Sequence, residues 1–558
     1  MIAALLLATA VRIGGLGFAP ADAKAATIES EAAAPIAWRV EDAAGRAVLS
    51  GRSEPAARDD AAGRRVHRVD LSALRTPGAG YRLIAGAAAS PRFAVAPGLY
   101  RPLARDALTY FYHNRAGTPI EARFVGARWA RPAGHPDERA TCFSGADRKG
   151  VRWPGCAYTL DVTGGWYDAG DHGKYVVNGG IALWTLLDMA ARGVAFPDRS
   201  LSIPESGNGV DDLLDEARYE LDFLLRMQVP AGQELAGMAH HKVADARWTA
   251  LPLRPDRDPE TRLLYPPSTA ATLNLAAVAA QGARLWRGID PAFARRCAEA
   301  SARAWAAAKR HPAMLATGDF AGSGNYGDAD VSDEIFWAAA ERWVLTRDPA
   351  LRRAIDASRH LRASSGEAGW AATAPLGLMT LAQAGDPTAR TTLIAAAGRF
   401  RDEARRSGYG IPLAGTAYVW GSNAVLLNRA MILAIAADRT RDESYRAPVI
   451  ATLDYLTGRN PLGRSYVSGY GPDPMRHPHH RFWAAGVDPA YPPAPPGALS
   501  GGPNATPGDD VARAIGKCAP MTCWRDDARA YSLNEVAINW NAPLAWVAAW
   551  RDATEARR

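Results

Sequence analysis

GVDDLLDEARYELDFLLRMQVP, residues 209–230, is the stretch from which the fold can be read. Val210, Leu213, Leu214, Ala217, Leu221, Leu224 and Leu225 recur at three- and four-residue spacing and form one apolar stripe, as in a helix with one face on a core. Asp211 and Asp212 favour the amino-terminal end of that helix, and Pro230 closes it. Helical spacing returns in TAATLNLAAVAAQGARLW (269–286), SDEIFWAAAERWVLTRD (332–348), APLGLMTLAQAG (374–385), SNAVLLNRAMILAIAADRT (422–440) and APLAWVAAWRDATEAR (542–557). Many of these are apolar on more than one face and must be covered on both sides. They predict two concentric layers of helices rather than a simple bundle.

Ahead of residue 98 the pattern differs. AWRVEDAAGRAVLSG (37–51), RVHRVDLSAL (65–74) and GYRLIAG (80–86) are short alternating runs broken by Gly, Pro and Asp turns, the signature of a small β-sandwich. The expected organisation is a sandwich over 11–97 and a large all-α domain over 98–558. Its site is expected on a loop-rich face, because the Gly/Pro/aromatic segment 457–512 is longer than a connector needs to be.

Composition narrows the class. With 48% hydrophobic and 22% charged residues the chain is an ordinary folded protein rather than a disordered one. The net charge is +7, but basic and acidic residues are interspersed, which leaves no stripe for nucleic acid. No run reaches the roughly 18 apolar residues that span a bilayer. MIAALLLATA (1–10) reads either as a truncated export signal or as an apolar terminus ahead of a first strand. Cys518 and Cys523 flank Pro520 in GKCAPMTCW, which predicts a local disulfide and an oxidising compartment, periplasmic or secreted. Cys297 falls in a helical pattern and reads as a small buried hydrophobe.

Three segments carry chemistry. In GGWYDAGDHGKYVVNGG (164–180), Asp168 and Asp171 stand three apart among glycines and aromatics. A calcium loop, a pair of helix caps or an Asx turn would use the same residues as a catalytic couple. In RDDARAYSLNEVAINWNAPLAW (525–546), Glu535 precedes Val536, Ala537 and Ile538. Desolvation there would raise its pKa as a proton donor requires, while an acid near a helix start is the plainer alternative. YVSGYGPDPMRHPHHRFW (466–483) gathers His477, His479, His480 and Arg481 on a loop. The spacing lacks that of familiar zinc sites, and Arg481 opposes a second cation, so side chains that donate to hydroxyls fit better.

Together DAGD, PHHR (478–481) and NEVAINWNAPL (534–544) resemble the three signatures of glycoside hydrolase family nine, in that family's order, and the likeness runs through nearly the whole chain. VRIGGLGFAPADAK (11–24) resembles the opening of the immunoglobulin-like domain in one branch, except that Gly14 and Gly15 stand where Asn-Gln is usual. That departure removes side-chain hydrogen bonds and puts the order of the first strand in question. The resemblance implies an immunoglobulin-like β-sandwich followed by an (α/α)6 barrel. It also implies an inverting mechanism, with Asp171 as general base, Asp168 as its companion on the attacking water, and Glu535 as general acid. His479 and Arg481 match positions that bond sugar hydroxyls, and Asp526 matches an acid kept near the site. Trp370, Tyr326, His241 and Trp540 look like subsite residues, since aromatic faces stack on pyranose rings.

No cofactor is expected for the chemistry. A structural calcium is implied at Asp328, Asp330, Asp333 and Glu334, an oxygen-rich loop. Relatives with a structural zinc direct attention to His135, Cys142 and Cys156, where a Cys142–Cys156 disulfide is the simpler reading. The implied activity is cleavage of β-1,4 glucan, with loops resembling a branch that acts on short oligosaccharides. The alternatives are an exo-β-D-glucosaminidase on chitosan fragments and a non-catalytic carbohydrate-binding protein. The latter would be expected to lack one of the three acids.

Overall fold

Asp211 caps the helix that the opening stretch predicts: its carboxylate accepts the Leu213 amide, and the helix runs over Asp212–Arg226. In this computed structural model, which describes residues 10–363, 366–415 and 417–556, it is the third of twelve helices of nine residues or more. These are α1 (Arg101–His113), α2 (Val176–Ala191), α3 (Asp212–Arg226), α4 (Thr269–Leu285), α5 (Pro291–Arg310), α6 (Ser332–Thr346), α7 (Pro349–Ala357), α8 (Ala374–Gln383), α9 (Pro387–Arg406), α10 (Ser422–Thr440), α11 (Glu443–Leu456) and α12 (Ile538–Ala556). The segment read as an export signal lies, apart from Ala10, outside the described residues.

Most even-numbered helices are more deeply buried than most odd-numbered ones, α6 and α11 being the exceptions. In α2 every residue from Val176 to Met189 is buried, and in α4 every residue from Thr269 to Ala283, so both are covered on all sides. In α5 the buried positions are Phe293, Ala294, Cys297, Ala300, Ser301, Ala304, Ala307 and Ala308, a single stripe. Packing follows this division. The even-numbered helices neighbour one another in the run α10–α12–α2–α4–α6–α8, each backed by an odd-numbered helix, and α9 touches both α8 and α10.

The α3 stripe has an unexpected companion. Asp212, Glu216 and Glu220, four apart, are also buried. Glu216 pairs with Arg115 (2.9 Å) and accepts the Trp166 indole N–H (2.8 Å), and Glu220 accepts the Trp166 amide (2.7 Å). These acids tie the helix to the turn that begins at Gly164, which an apolar periodicity alone does not reveal.

At the amino-terminal end, strands β1 (Ala10–Arg12), β2 (Ala25–Glu29), β3 (Ala37–Glu41), β4 (Ala47–Arg52), β5 (Glu54–Asp59), β6 (Arg64–Asp70), β7 (Gly78–Ala85), β8 (Ala88–Ala89) and β9 (Phe93–Val95) form two antiparallel sheets. One has the order β1-β2-β6-β5; the other has β4-β3-β7-β8, with β9 also on β7. They share a core of Val11, Ile28, Val40, Val69, Leu83 and Val95. The sheets are joined to the helices by buried polar contacts: Asp22 pairs with Arg446 and Arg551, and Glu29 accepts the Tyr409 hydroxyl (2.8 Å). Gly14 and Gly15 lie in this seam. A Cβ on Gly14 would meet Asp454 Oδ1 at 2.2 Å, and one on Gly15 the Thr457 carbonyl at 2.3 Å, while the Gly15 amide donates to that carbonyl (3.2 Å). The glycines thus permit a close approach in which Asp454 fills the space of a side chain, and β1 stays paired with β2.

The carboxy-terminal part is not purely helical. Thr159–Asp161, Arg139–Cys142, Arg262–Leu264, Lys242–Asp245 and Lys174–Tyr175 form a five-stranded sheet in that order, from segments of two to four residues that are too short to show a period in sequence. The last helix also begins earlier than the 542–557 pattern predicts, at Ile538, with Pro543 inside it. The reason is local: the Ile538 amide donates to the Asp168 carbonyl (2.8 Å), so the first turn forms against the aspartate segment.

Candidate active site

Three stretches far apart in sequence meet where the even-numbered helices begin. Between α11 and Asp510 the described chain has no helix or strand, and this long loop carries His477–Arg481. Its Arg481 amide donates to the Gly170 carbonyl (3.0 Å), its His479 amide to Asn534 (2.9 Å), and the Gly501 amide to the Glu535 carbonyl (2.7 Å). The Gly170 amide in turn reaches Glu535 Oε1 (3.4 Å). Gly170 has to be glycine here, because a Cβ would lie 2.6 Å from the His479 carbonyl.

The two aspartates are held differently. Asp168 is buried and accepts Asn178 Nδ2 on both oxygens (3.0 Å each) and the Tyr326 hydroxyl (2.9 Å). Burial, reinforced by the Asp171 charge, raises it to about 7. Asp171 Oδ2 accepts the Gly173 amide and the Tyr175 hydroxyl (3.2 Å each). Glu535 is pushed well above the usual carboxylate range, first by burial and then by Asp171 and Asp168. The arrangement therefore keeps a proton on Glu535 while supplying donors to Asp171.

Asp171 and Glu535 line one cavity of ≈ 760 Å³, together with Tyr326, Trp370, His479, Arg481 and Trp540 among the residues singled out by sequence. His479 donates Nδ1–H to the Ala528 carbonyl (2.7 Å), which leaves Nε2 as the acceptor. Burial lowers this imidazole to about 4, which keeps it neutral. Arg481 spends its donors on Thr249 (2.6 and 3.2 Å) and Gly170 (3.0 Å), bracing the aspartate turn while facing the cavity.

Two of the sequence candidates lie elsewhere. Asp526 does not line the cavity; it accepts the Arg476 and His477 amides (2.9 Å each) and Asn534 Nδ2 (3.0 Å), stitching the histidine loop to the Glu535 segment. His241 bonds Ser268 (2.8 Å) and lines a neighbouring cavity of ≈ 770 Å³, which meets the first at Asn325. Conversely, Trp248, Trp420 and Tyr531 line the acid-bearing cavity and were not foreseen. Their exposures of 51%, 48% and 37% mark them as large apolar side chains left at a rim. An aromatic residue in an otherwise polar loop was the available signal.

The metal candidates also separate. Asp328, Asp333 and Glu334 bring one oxygen each within 4.8 Å of one another. Both Glu334 oxygens and Asp328 Oδ2 are buried with no hydrogen-bond partner, a donor set that fits a hard cation such as calcium. Asp330 is turned away, paired with Arg359 (2.5 Å). Cys142 and Cys156 form a disulfide, as do Cys518 and Cys523, so neither of the first pair is a thiolate ligand and the zinc set is corrected. His135 is near Asp258 (3.8 Å) and Asp245, but those acids already hold His172 (2.5 Å) and Arg262 (2.6 Å).

A helical domain whose loops set Glu535, held protonated by burial, and Asp171, backed by the buried Asp168, at one aromatic-lined cavity defines a glycoside hydrolase. Comparison with known proteins bears this out: residues 100–548 match the model of glycosyl hydrolase family 9, and residues 7–90 that of the cellulase N-terminal ig-like domain. The chain belongs to glycosyl hydrolase family 9. It is 44% identical over 569 residues to endoglucanase C of Cellulomonas fimi, covering 97% of this chain and 51% of that protein. It is 39% identical over 600 residues to a cellulose 1,4-beta-cellobiosidase of Acetivibrio thermocellus, covering 97% and 67%. The chain thus spans about half the length of the first of these relatives. Among solved structures, a Bacteroides ovatus family 9 protein superposes with a TM-score of 0.85 at 30% identity, covering 98% of this chain and 99% of that one. AaCel9A in complex with cellobiose-like isofagomine gives 0.85 at 31%, covering 98% and 100%.

Proposed function

We propose that the chain hydrolyses β-1,4-glucosidic bonds of cello-oligosaccharides with inversion at the anomeric carbon. The observation that carries this reading is the common wall: Asp171 and Glu535 line one cavity, with the Gly170 amide on Glu535 between them in space. Glu535, raised by burial, protonates the leaving glycosidic oxygen. Asp171 takes a proton from the attacking water, and Asp168 helps hold that water. Inversion calls for carboxyls roughly 6.5–9.5 Å apart, with the water between base and sugar. Trp370, Trp540 and Tyr326 offer faces for pyranose rings, extended at the rim by Trp248, Trp420 and Tyr531, and His479 and Arg481 lie ready for sugar hydroxyls.

The names of the relatives support glucan as substrate. A glucosamine substrate finds no support, because among the described residues the carboxylates lining the cavity are Asp171 and Glu535, both assigned to the chemistry. In architecture, the alternation of fully covered and striped helices supports closure as an (α/α)6 barrel over 98–558, behind a sandwich over 11–97. Asp328, Asp333 and Glu334 would hold a structural calcium that neutralises three crowded acids. Two disulfides support export to an oxidising compartment, and no helix among the described residues is long and apolar enough to cross a membrane.

The test is Glu535→Gln. Turnover of cellotetraose falls by about 10²–10⁴ with the fold intact, whereas a dinitrophenyl cellobioside, whose leaving group needs no proton, is still cleaved. Equal loss on both substrates, or none on cellotetraose, contradicts the acid role.

A further inference from the structure

We propose that Tyr175 and Lys242 form a positioning chain which, acting through Gly324, orients and supports the charged carboxylate of Asp171. This rests on the reading of Asp171 as the base. The two residues are cross-strand partners: in the antiparallel pairing of Lys174–Tyr175 with Lys242–Asp245, Tyr175 stands opposite Lys242. The Tyr175 hydroxyl accepts the Gly324 amide (2.9 Å) and donates to Asp171 Oδ2 (3.2 Å). A backbone amide is only ever a donor, so the phenol's own hydrogen is left for the carboxylate. Gly324 is fixed from its other side by Lys242 Nζ, which donates to the Gly324 carbonyl.

Lys242 is an odd residue to bury. It is 1% exposed, with Nζ lying 4.9 Å from the centre of the Tyr265 ring, 5.4 Å from Phe320 and 5.6 Å from Tyr175. An apolar side chain would fill that space without the cost of desolvating an ammonium. What the ammonium supplies is a positive charge behind Asp171 and a grip on residue 324. The same loop reaches the other aspartate, since Tyr326, two residues on and held at φ +47°, donates its hydroxyl to Asp168 (2.9 Å).

The charges around Asp171 come from every neighbouring element: Asp168 from its own turn, Glu535, His479 and Arg481 from the carboxy-terminal loops, Tyr326 from the 324–326 loop, and Tyr175, Lys242 and Asp245 from the small sheet. His479 is neutral above about 4, so two cations belong to this group: Arg481, which braces the Gly170 carbonyl, and Lys242, which acts on Asp171 from behind through Gly324. Burial lowers Lys242 to about 7, with Arg148 acting the same way and Asp171 and Asp319 opposing, so its charge is in place throughout the acid range. Removing the phenol or the ammonium makes the charged carboxylate costlier to form, and the acid limb of kcat must then move to higher pH.

The experiment measures kcat and KM on cellotetraose from pH 4 to 8, with thermal melts, for Tyr175→Phe, Lys242→Met, Lys242→Arg, the Tyr175→Phe/Lys242→Met double variant and Asp171→Asn. Tyr175→Phe keeps the ring and the fold. It moves the acid limb upward by about one pH unit, so that kcat below the limb falls about tenfold while KM changes little. Lys242→Met moves the limb the same way, Lys242→Arg keeps it near wild type, and the double variant shifts it by less than the sum of the singles, as two links of one chain do. A wild-type acid limb in folded Tyr175→Phe, or strictly additive shifts, overturns the proposal. If Lys242→Met does not fold, Tyr175→Phe alone decides. Asp171→Asn separates the two levels: if it keeps wild-type turnover, the base assignment fails, and if it is inactive while Tyr175→Phe keeps the limb, only the chain fails.

Discussion

Asp168 pays for its position in the wall of the turn. Its raised value of about 7 means that the folded state prefers the neutral carboxyl, while the unfolded chain ionises near 3.8. The sign follows: the folded protein bears no penalty at acid pH, accumulates one as pH climbs from the unfolded value, and bears all of it above about 7. Asp168→Asn escapes the penalty, so its melting temperature relative to wild type rises between pH 4 and pH 8; thermal melts across that range check it, and a pH-independent difference would refute the assignment. At this scale the sequence was most informative where a residue type is demanded by chemistry. The three acids were legible because each sits in a motif with its neighbours. That Asp526 and His241 stand outside the lining of the Glu535 cavity was not legible, because an amide or hydroxyl partner such as Ser268 comes from another part of the chain and leaves no local trace. Trp248 and Trp420 were visible as residues but not as rim residues, since exposure is a property of the assembled loops.

Helix α3 and the small sheet show what an element does for the site. The row Asp212, Glu216 and Glu220 is polar by composition yet faces inward, where it holds Arg115 and Trp166. Burial lifts Glu220 to about 8, so it is neutral at pH 7 and serves as an acceptor for the Trp166 amide. Glu220→Gln is therefore expected to keep both stability and kcat at pH 7. Glu220→Leu strands a buried amide, costs about 1–3 kcal/mol and loosens the turn that carries Asp168. Urea unfolding and kcat for the pair check this, and equal behaviour of the two variants would count against it. Helix existence was readable from apolar period alone, and α10 matches its expected span of 422–440 to the residue. The start of α12 was not, because Ile538 is drawn into the helix by the Asp168 carbonyl, a contact across most of the chain. The five-stranded sheet was missed for a related reason: strands of two to four residues have no period to detect.

For the whole molecule, helices apolar on every side admit few ways of being covered, and α2 and α4 are buried along nearly their full lengths. The seam between sandwich and helices was legible only as an anomaly at Gly14 and Gly15, which the structure explains by the approach of Asp454 and Thr457. Asp328, Asp333 and Glu334 crowd three acids around the start of α6, the place proposed above for a calcium. Chelation with EGTA is expected to lower the melting temperature and added calcium to restore it; a melt indifferent to both removes the metal from the account. The central claim, however, concerns geometry across the molecule: an acid from the carboxy-terminal segment and a base from the early glycine turn act on opposite faces of one sugar. Proton NMR of the first products released from cellotetraose tests it most directly. The account predicts that the α anomer appears first and mutarotates afterwards, and initial formation of the β anomer would contradict it.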